Sequence, residues 1–359
     1  MFWVKSLSLV NFKLFELREI KFSAGINIIY GENAVGKTSI VEGVSNLLMT
    51  KSFKSTKDQD LIKRMAQYYI VSGVACNNAK DINIVVSYSN KEKKVKENNI
   101  LYRKLSDYIG KYAIISFCPE DLGLITGAPK EKRRFMNTNL GQLDKEYLLA
   151  LSKYNSVLKE KNEYLKKIDN SKEDEAFLDV LDNILSQEGE IIIKKREEYI
   201  EKLNVYMKKY SVLISGGLDC GKIVYNPNIK APDYKKRLNE ARKVDVFLKK
   251  SSIGPQRDTF IVEVNSENAE GYASQGQIRT EAISIKLSSA KVFKNENRNT
   301  VIILDDVFSE LDDKRQQELL KLLAGHQQIF ITTTDINKIN LKAVKDAQLI
   351  KLERTMDNE

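Results

Sequence analysis

The chain has 359 residues, of which 42% are hydrophobic and 30% are charged, so it can bury a sizeable core and is not globally disordered. One histidine, His326, stands in the whole sequence, which excludes histidine-cluster metal sites and Ser-His or Cys-His relay chemistry. Cys76, Cys118 and Cys220 lie far apart and form no CxxC pair, as is typical of reduced thiols in a cytosolic protein. With no signal peptide and no apolar run of membrane length, we expect a soluble intracellular protein.

The formal net charge of +9 is concentrated in the first part of the chain. Residues 1–144 carry 22 lysines and arginines against 14 acidic residues. This excess indicates an anionic partner, nucleic acid before membrane. A solvated lysine-rich surface is the alternative interpretation.

Alternating hydrophobicity predicts strands over residues 4–12 and 18–22. The almost wholly apolar run Ile26–Tyr30 predicts a strand buried on both faces, and a helix with apolar residues at helical spacing follows it. Further short strands are predicted over residues 70–75, 82–88, 112–117 and 259–265.

Residues 145–210 are rich in lysine and glutamate and lack proline, and they predict two long helices. The second helix is predicted near residues 176–210, after a turn around 170–174. Leucines recur every seven positions and tyrosines fill the offset register, at Leu151, Leu158, Leu165, Tyr147 and Tyr154. Because this register lasts too few heptads for a long rod, it favours a bundle packed on the main domain over a free coiled coil.

After residue 250 the α/β pattern returns, with apolar strands at 301–304 and 329–332 and a helix at 313–324 between them. Strands at both ends of the chain and helices in the middle predict one α/β domain assembled from both termini, with a helical insertion. The predicted ATPase lobe is residues 1–140 plus 245–359, and the predicted helical lobe is residues 141–244.

A phosphate-binding loop is predicted between the strand Ile26–Tyr30 and the helix that follows, because residues 31–38 match GxxxxGK[ST]. Glycines let backbone N–H groups turn toward phosphates, the helix N-terminus adds its positive dipole end, and Lys37 supplies a mobile ammonium. The predicted ATP-binding residues are Gly31, Glu32, Asn33, Ala34, Val35, Gly36, Lys37, Thr38 and Ser39.

Paired aspartates end the buried run at residues 301–304 and suit the metal of such a loop. We expect Asp305 and the Thr38 hydroxyl to hold Mg²⁺, and Asp306 to orient or activate the attacking water. A solvated strand end is the alternative interpretation of the aspartate pair.

Residues 272–280 (YASQGQIRT) open a helix with a second potential anion site. One chain does not need two phosphate cradles for one nucleotide, so we expect this turn to cover, in trans, a nucleotide held by another subunit. The residues predicted to act in this way are Ser274, Gln275, Gly276 and Gln277.

The motifs GENAVGKT, YASQGQIRT, VIILDDVFSELD and IFITTTD together resemble the ATP-binding-cassette ATPases of the SMC/Rad50 type and, more narrowly, the RecF family. The resemblance spans nearly the whole chain. It implies a two-lobed head, an ATP-dependent homodimer, slow hydrolysis of ATP with Mg²⁺, and DNA binding. It also implies work beside the RecO and RecR proteins in loading a recombinase at gapped DNA, in the cytoplasm at the nucleoid. By the same resemblance Asp312 contributes across the dimer interface.

This sequence departs from the family pattern at four positions. Ile278 stands where the family's signature motif, here YASQGQIRT with its turn at residues 274–277 (the signature turn), usually has glutamine, and Gln256 replaces the histidine of Gly-Pro-His-Arg-Asp. Thr334 follows the strand after which many cassettes have a switch histidine, and Asp306 stands where many have glutamate. The last two departures suit a slow ATPase that acts as a switch.

A basic cluster follows a proline and predicts contact with DNA phosphates, with a solvated surface loop as the alternative. Its members are Lys130, Lys132, Arg133 and Arg134.

Three rival functions remain: another SMC-like repair ATPase, a transporter ATPase subunit, and a small-molecule P-loop kinase. The long gap between the phosphate loop and the signature and the lack of any membrane-coupling segment disfavour the transporter. The Ser-Gln-Gly-Gln turn disfavours the kinase.

Overall fold

The computed structural model describes residues 2–55, 57–168, 172–323, 328–339 and 346–353. The strands are β1 (Phe2–Phe12), β2 (Phe15–Lys21), β3 (Ile26–Tyr30), β4 (Tyr68–Asn77), β5 (Lys80–Ser89), β6 (Glu92–Glu97), β7 (Ile100–Leu101), β8 (Ala113–Phe117), β9 (Gly221–Asn226), β10 (Thr259–Val264), β11 (Glu267–Asn268), β12 (Thr300–Asp305), β13 (Gln328–Thr333) and β14 (Gln348–Lys351). The α-helices are α1 (Lys37–Met49), α2 (Gly123–Thr126), α3 (Pro129–Leu143), α4 (Lys145–Leu165), α5 (Lys172–Ser215), α6 (Tyr234–Leu248), α7 (Ala269–Tyr272), α8 (Gln275–Asn295) and α9 (Asp313–Leu323).

A five-stranded parallel sheet has the order β14-β3-β13-β12-β8. Every residue of β12 and β13 is buried, as the apolar runs of these strands require. The predicted strands at 26–30, 112–117, 301–304 and 329–332 are confirmed, and they are neighbours in this one sheet. Because the strands are parallel, the residues that follow β3, β12 and β13 meet at the same edge.

A six-stranded antiparallel sheet has the order β2-β1-β4-β5-β6-β7 and includes the strands predicted at 4–12, 18–22, 70–75 and 82–88. Helix α1 packs against strands of both sheets. Every residue of α1 except Thr38 is buried, since the helix lies among the apolar side chains of one core. This burial fixes the helix N-terminus, and with it the loop that precedes it.

Contacts divide the chain into two compact units. The first contains Met1–Asp121, Leu213–Ser215 and Ser289–Glu359, and the second contains Leu122–Val212 and Gly216–Ser288. These boundaries differ from the predicted ones at residues 140 and 245. Residues 122–140 and 245–288 belong with the long helices, because α3 packs on α4 and on β10. The second unit is also not purely helical, since it holds the antiparallel sheet β11-β10-β9.

The two predicted long helices are α4 and α5, and the second is longer than expected. Part of the predicted turn at 170–174 lies outside the described residues, as does His326. Of the heptad leucines of α4, Leu165 is fully buried but Leu151 and Leu158 are only half-buried, whereas Tyr147 and Tyr154 are both almost fully buried.

Hydrogen bonds of the tyrosine hydroxyl groups explain this burial. Tyr154 bonds to Tyr234 at 2.8 Å, and Tyr147 donates to Asn137 Oδ1 at 2.6 Å. A buried tyrosine is stable where its hydroxyl finds such a partner.

No helix in the described part of the chain combines the length and the apolar character needed to cross a membrane.

Candidate nucleotide site

The loop between β3 and α1 has the backbone that the GxxxxGK[ST] pattern predicts. Gly36 immediately precedes α1 with φ 98°, and a Cβ there would lie 2.5 Å from the ring of Phe15. Gly31 also has positive φ, and its Cβ would lie 2.3 Å from the Leu352 carbonyl oxygen. Only glycine fits both positions, so the loop keeps its open curve at the N-terminus of a buried helix.

Lys37 is folded back onto this loop. Its Nζ donates to the carbonyl oxygens of Gly31 at 2.8 Å and Glu32 at 2.6 Å, and only 8% of the residue is exposed. Burial lowers the pKa of Lys37, and the nearby carboxylates of Asp306 and Asp305 oppose that shift. The sequence suggested a mobile ammonium, whereas the structure holds it inside the cradle that phosphates would fill.

Thr38 and Asp305 meet at the carboxyl edge of the parallel sheet. The Thr38 hydroxyl donates to Asp305 Oδ1 at 2.9 Å, and Thr332 at the end of β13 donates to the same oxygen at 2.7 Å. Asp305 is 1% exposed, and burial raises the pKa of its carboxyl despite these hydrogen bonds. A buried carboxylate beside a hydroxyl suits Mg²⁺, which binds proteins through one or two carboxylates together with substrate phosphates.

Asp306 has φ 54°, in the left-handed region that non-glycine residues seldom occupy. Its N–H donates to Thr332 Oγ1 at 3.0 Å. Its Oδ1 is buried and has no hydrogen-bond partner in the described part of the chain. A strained backbone and an unsatisfied carboxylate oxygen at one residue are typical of a functional position. The residues present therefore fit a nucleotide, its metal and a water.

Lys54 and Glu120 form an ion pair of 2.8 Å that sequence reasoning missed. Burial opposes ionisation of Glu120, but the hydrogen bond from Lys54 holds its pKa below the usual range. Both charges act on Asp305, so the pair belongs to the same site. Glu120 can be marked from the sequence by its position just after the predicted strand at 112–117, whereas no local pattern shows that it pairs with Lys54.

Two further predicted residues follow the last strands of the site: Asp312 comes after β12 and Thr334 comes directly after β13. Asp312 is exposed and caps α9, since its Oδ1 accepts the Arg315 N–H at 2.9 Å and its Oδ2 pairs with the Arg315 guanidinium at 3.0 Å. Thr334 follows β13 and is half-buried.

The signature turn lies in the second compact unit and forms a capping box at the start of α8. The Ser274 N–H donates to Gln277 Oε1 at 2.9 Å, and the Gln277 N–H donates to Ser274 Oγ at 3.3 Å. Ser274 and Gln275 are exposed. The Ser274 hydroxyl accepts one bond here and keeps its own proton to donate.

Comparisons with known proteins agree with this arrangement. A family model described as an AAA domain matches residues 6–214. The DNA replication and repair protein RecF of Lactococcus lactis subsp. cremoris (strain MG1363) is 38% identical over 337 residues, which cover 94% of this chain and 93% of that protein. RecF of Bacillus cereus (strain G9842) is 35% identical over 370 residues, which cover 99% of each chain. This chain belongs to the RecF family.

Solved structures support the same assignment. One described as the recombination mediator protein RecF-ATP in the RecFOR pathway matches with a TM-score of 0.87 and 32% identity, over 94% of each chain. An Smc head domain from Pyrococcus furiosus matches with a TM-score of 0.57 at 14% identity, over 99% of this chain and 94% of that one, and shows a shared fold alone. The predicted fold class, an ATP-binding-cassette head of the RecF and SMC kind, is confirmed.

The basic cluster of this RecF-family chain is only partly at the surface, which corrects the sequence-based expectation. Lys132 is 3% exposed, with its ammonium 3.8 Å from Glu270 and over the ring of Phe260. Burial lowers the pKa of Lys132. Arg133 is half-buried and donates to the backbone carbonyl of Asp258 at 2.9 Å. The two exposed members are Lys130 and Arg134.

Proposed function

We propose that this chain is an ATP-dependent, DNA-binding mediator of recombination and repair. It binds ATP with Mg²⁺ in the loop of residues 31–39, forms a homodimer on ATP, binds gapped or duplex DNA and helps to load a recombinase. Slow, DNA-stimulated hydrolysis releases the dimer, so the protein is a switch rather than a metabolic enzyme.

One observation carries this proposal: Lys37, Thr38, Asp305 and Asp306 converge at one sheet edge, where a buried oxygen of Asp306 has no partner among the residues that the structure describes. In the proposed division of roles, Lys37 leaves its two backbone carbonyls to bind phosphate. Thr38 and Asp305, which bond to each other here, would hold Mg²⁺, and the ion would supply neutralisation of phosphate charge. Asp306 orients the attacking water through its unsatisfied oxygen.

The remaining contacts are proposed to come from the other subunit. The capping box leaves the Ser274 hydroxyl proton and the N–H groups of Gln275 and Gly276 to face a phosphate, while Gln277 holds the turn. Asp312 adds a contact across the same interface. Thr334 stands at the switch position, where its hydroxyl cannot take up a proton as an imidazole does; this favours slow turnover.

Partners follow from the relatives. Proteins in this family are named for DNA replication and repair, and the solved structures are described within the RecFOR pathway. We therefore propose DNA, RecO and RecR as partners of this chain, and the cytoplasmic nucleoid as its location.

Mass measurement with and without ATP and a gapped duplex tests the proposal. The parent should dimerise on ATP, whereas Lys37→Ala should stay folded and monomeric without tight ATP binding. Lys63→Ala, which removes an ion pair with Glu16 on the surface, is the matched control and should behave like the parent. Tight ATP binding by folded Lys37→Ala would contradict the assignment of the loop. Stimulation of turnover by lipid vesicles and not by DNA would favour a transporter subunit instead.

A further inference from the structure

Asp219 is held rigidly in the loop between α5 and β9. Asn265 bonds the backbone on both sides of it: Nδ2 donates to the Leu218 carbonyl at 3.3 Å, and Oδ1 accepts the Cys220 N–H at 3.0 Å. Asp219 itself is 6% exposed. A nearly buried carboxylate on a clamped backbone has little freedom to move, so its position is defined by the fold.

Asp219 contacts the signature turn through the side chain of Gln277. Gln277 Nε2 donates to Asp219 Oδ1 at 2.9 Å, while Gln277 Oε1 accepts the Ser274 N–H at 2.9 Å. An ionised carboxylate only accepts hydrogen bonds, so the NH₂ end of the Gln277 amide must face Asp219. The carbonyl end then faces Ser274, which is the orientation that the capping box requires.

We infer that Asp219 is a positioning residue for the signature turn, which fixes the Gln277 amide so that the Ser274 hydroxyl and the following N–H groups are set for a phosphate of the partner subunit's nucleotide. This inference rests on the proposed function of the turn. Without Asp219 the amide is free to rotate by 180°, its NH₂ group then opposes the Ser274 N–H, and the capping box is lost.

A second carboxyl group, that of Glu281, lies within electrostatic reach of Asp219. Glu281 lies one turn after Gln277 on α8, is fully buried and accepts a hydrogen bond from Ser211 at 2.6 Å. Burial, and then the charge of Asp219, raise the pKa of Glu281.

Asp219→Ala tests the role directly. We expect ATP-dependent dimerisation to need about tenfold more protein for the half-maximal effect, because a charge-assisted hydrogen bond is lost. ATP binding to the monomer should keep its affinity, because the phosphate loop is untouched. Ser211→Ala is the matched control: it removes the hydroxyl that donates to Glu281 at 2.6 Å and accepts the Gly221 N–H at 2.9 Å, in the same buried region, without touching Gln277. It should dimerise like the parent.

An exchange of the two groups separates positioning from a general loss of stability. Gln277→Glu alone places a second carboxylate beside that of Asp219, and the repulsion between them should impair dimerisation. Combined with Asp219→Asn, the new amide donates to the new carboxylate, whose second oxygen accepts the Ser274 N–H, and the net charge equals that of the parent. The double variant should therefore recover most of the dimerisation.

Two results would overturn the inference. One is parent-like dimerisation of folded Asp219→Ala; the other, which decides the matter if that variant does not fold, is a double variant no better than Gln277→Glu alone. Failure of the proposed function is distinguishable, because the parent would then not dimerise on ATP, or Ser274→Arg would dimerise as the parent does.

Discussion

At the scale of single residues, the strained Asp306 is the most informative position of the candidate site. Its φ of 54° is one that asparagine also tolerates, so Asp306→Asn removes the charge without a new backbone cost. We expect ATP turnover to fall by about a hundredfold, the order of magnitude for loss of a general base, with ATP binding retained and ATP-bound dimers accumulating. Single-turnover and binding measurements check this. Asp335→Asn, at a turn cap after β13, should turn over normally. Parent-like turnover by Asp306→Asn would assign water activation to another residue.

Glu281 gives a residue-scale prediction about stability. Burial, and then the charge of Asp219, raise the pKa of Glu281 to about 7, against the opposing hydrogen bond from Ser211. At a pH between the pKa of Glu281 in the unfolded chain and its pKa in the folded protein, the carboxyl is protonated in the folded protein and ionised in the unfolded chain. The folded state then binds more protons, so stability falls as pH rises toward 7 and levels off above it.

Glu281→Gln should remove this dependence. Between pH 5.5 and 8 the parent should lose roughly 2 kcal/mol of unfolding free energy that the variant keeps. Urea denaturation at the two pH values measures the difference. Equal pH dependence of stability in the two proteins would mean that burial does not raise the pKa of Glu281.

At the scale of elements, the structure narrows the predicted DNA contact on helix α3 to the two exposed members of the basic cluster. Lys130 and Arg134 are exposed, whereas the ammonium of Lys132 faces Glu270 and Phe260. Replacing both Lys130 and Arg134 with glutamine should reduce the slope of log affinity against log salt by nearly two, because each phosphate contact releases a counterion. Lys132→Met should leave the slope unchanged while the protein stays folded. A slope unaffected by the double change would assign α3 to the solvated surface.

The same helix shows what could be predicted from the sequence and what could not. The sequence predicts β3, β12 and β13 because strands buried on both faces have short, continuous apolar sequences. It also predicts α1, because the phosphate-loop pattern follows β3 and precedes a helix. The inward turn of Lys132 depends on Phe260 and Glu270, more than a hundred residues away in sequence. Likewise, Gln277 depends on Asp219 across 58 residues. Contacts of this kind leave no local pattern.

At the scale of the whole molecule, the central question is whether each nucleotide is completed by a second copy of the chain. Ser274→Arg should leave ATP binding to the monomer unchanged, since residues 31–39 hold the phosphates, yet block ATP-dependent dimerisation, since a bulky side chain fills the turn. Lys37→Ala should fail for the opposite reason, because it lacks a nucleotide but keeps its signature turn. In an equal mixture, the Lys37→Ala subunit can cover the ATP of the Ser274→Arg subunit, so one site of the heterodimer is sound and the other is doubly broken. Mass measurement of the mixture should therefore show partial ATP-dependent pairing that neither variant shows alone. Normal dimerisation of Ser274→Arg, or a mixture that stays monomeric while parent dimers form, would mean that the nucleotide site is not completed in trans.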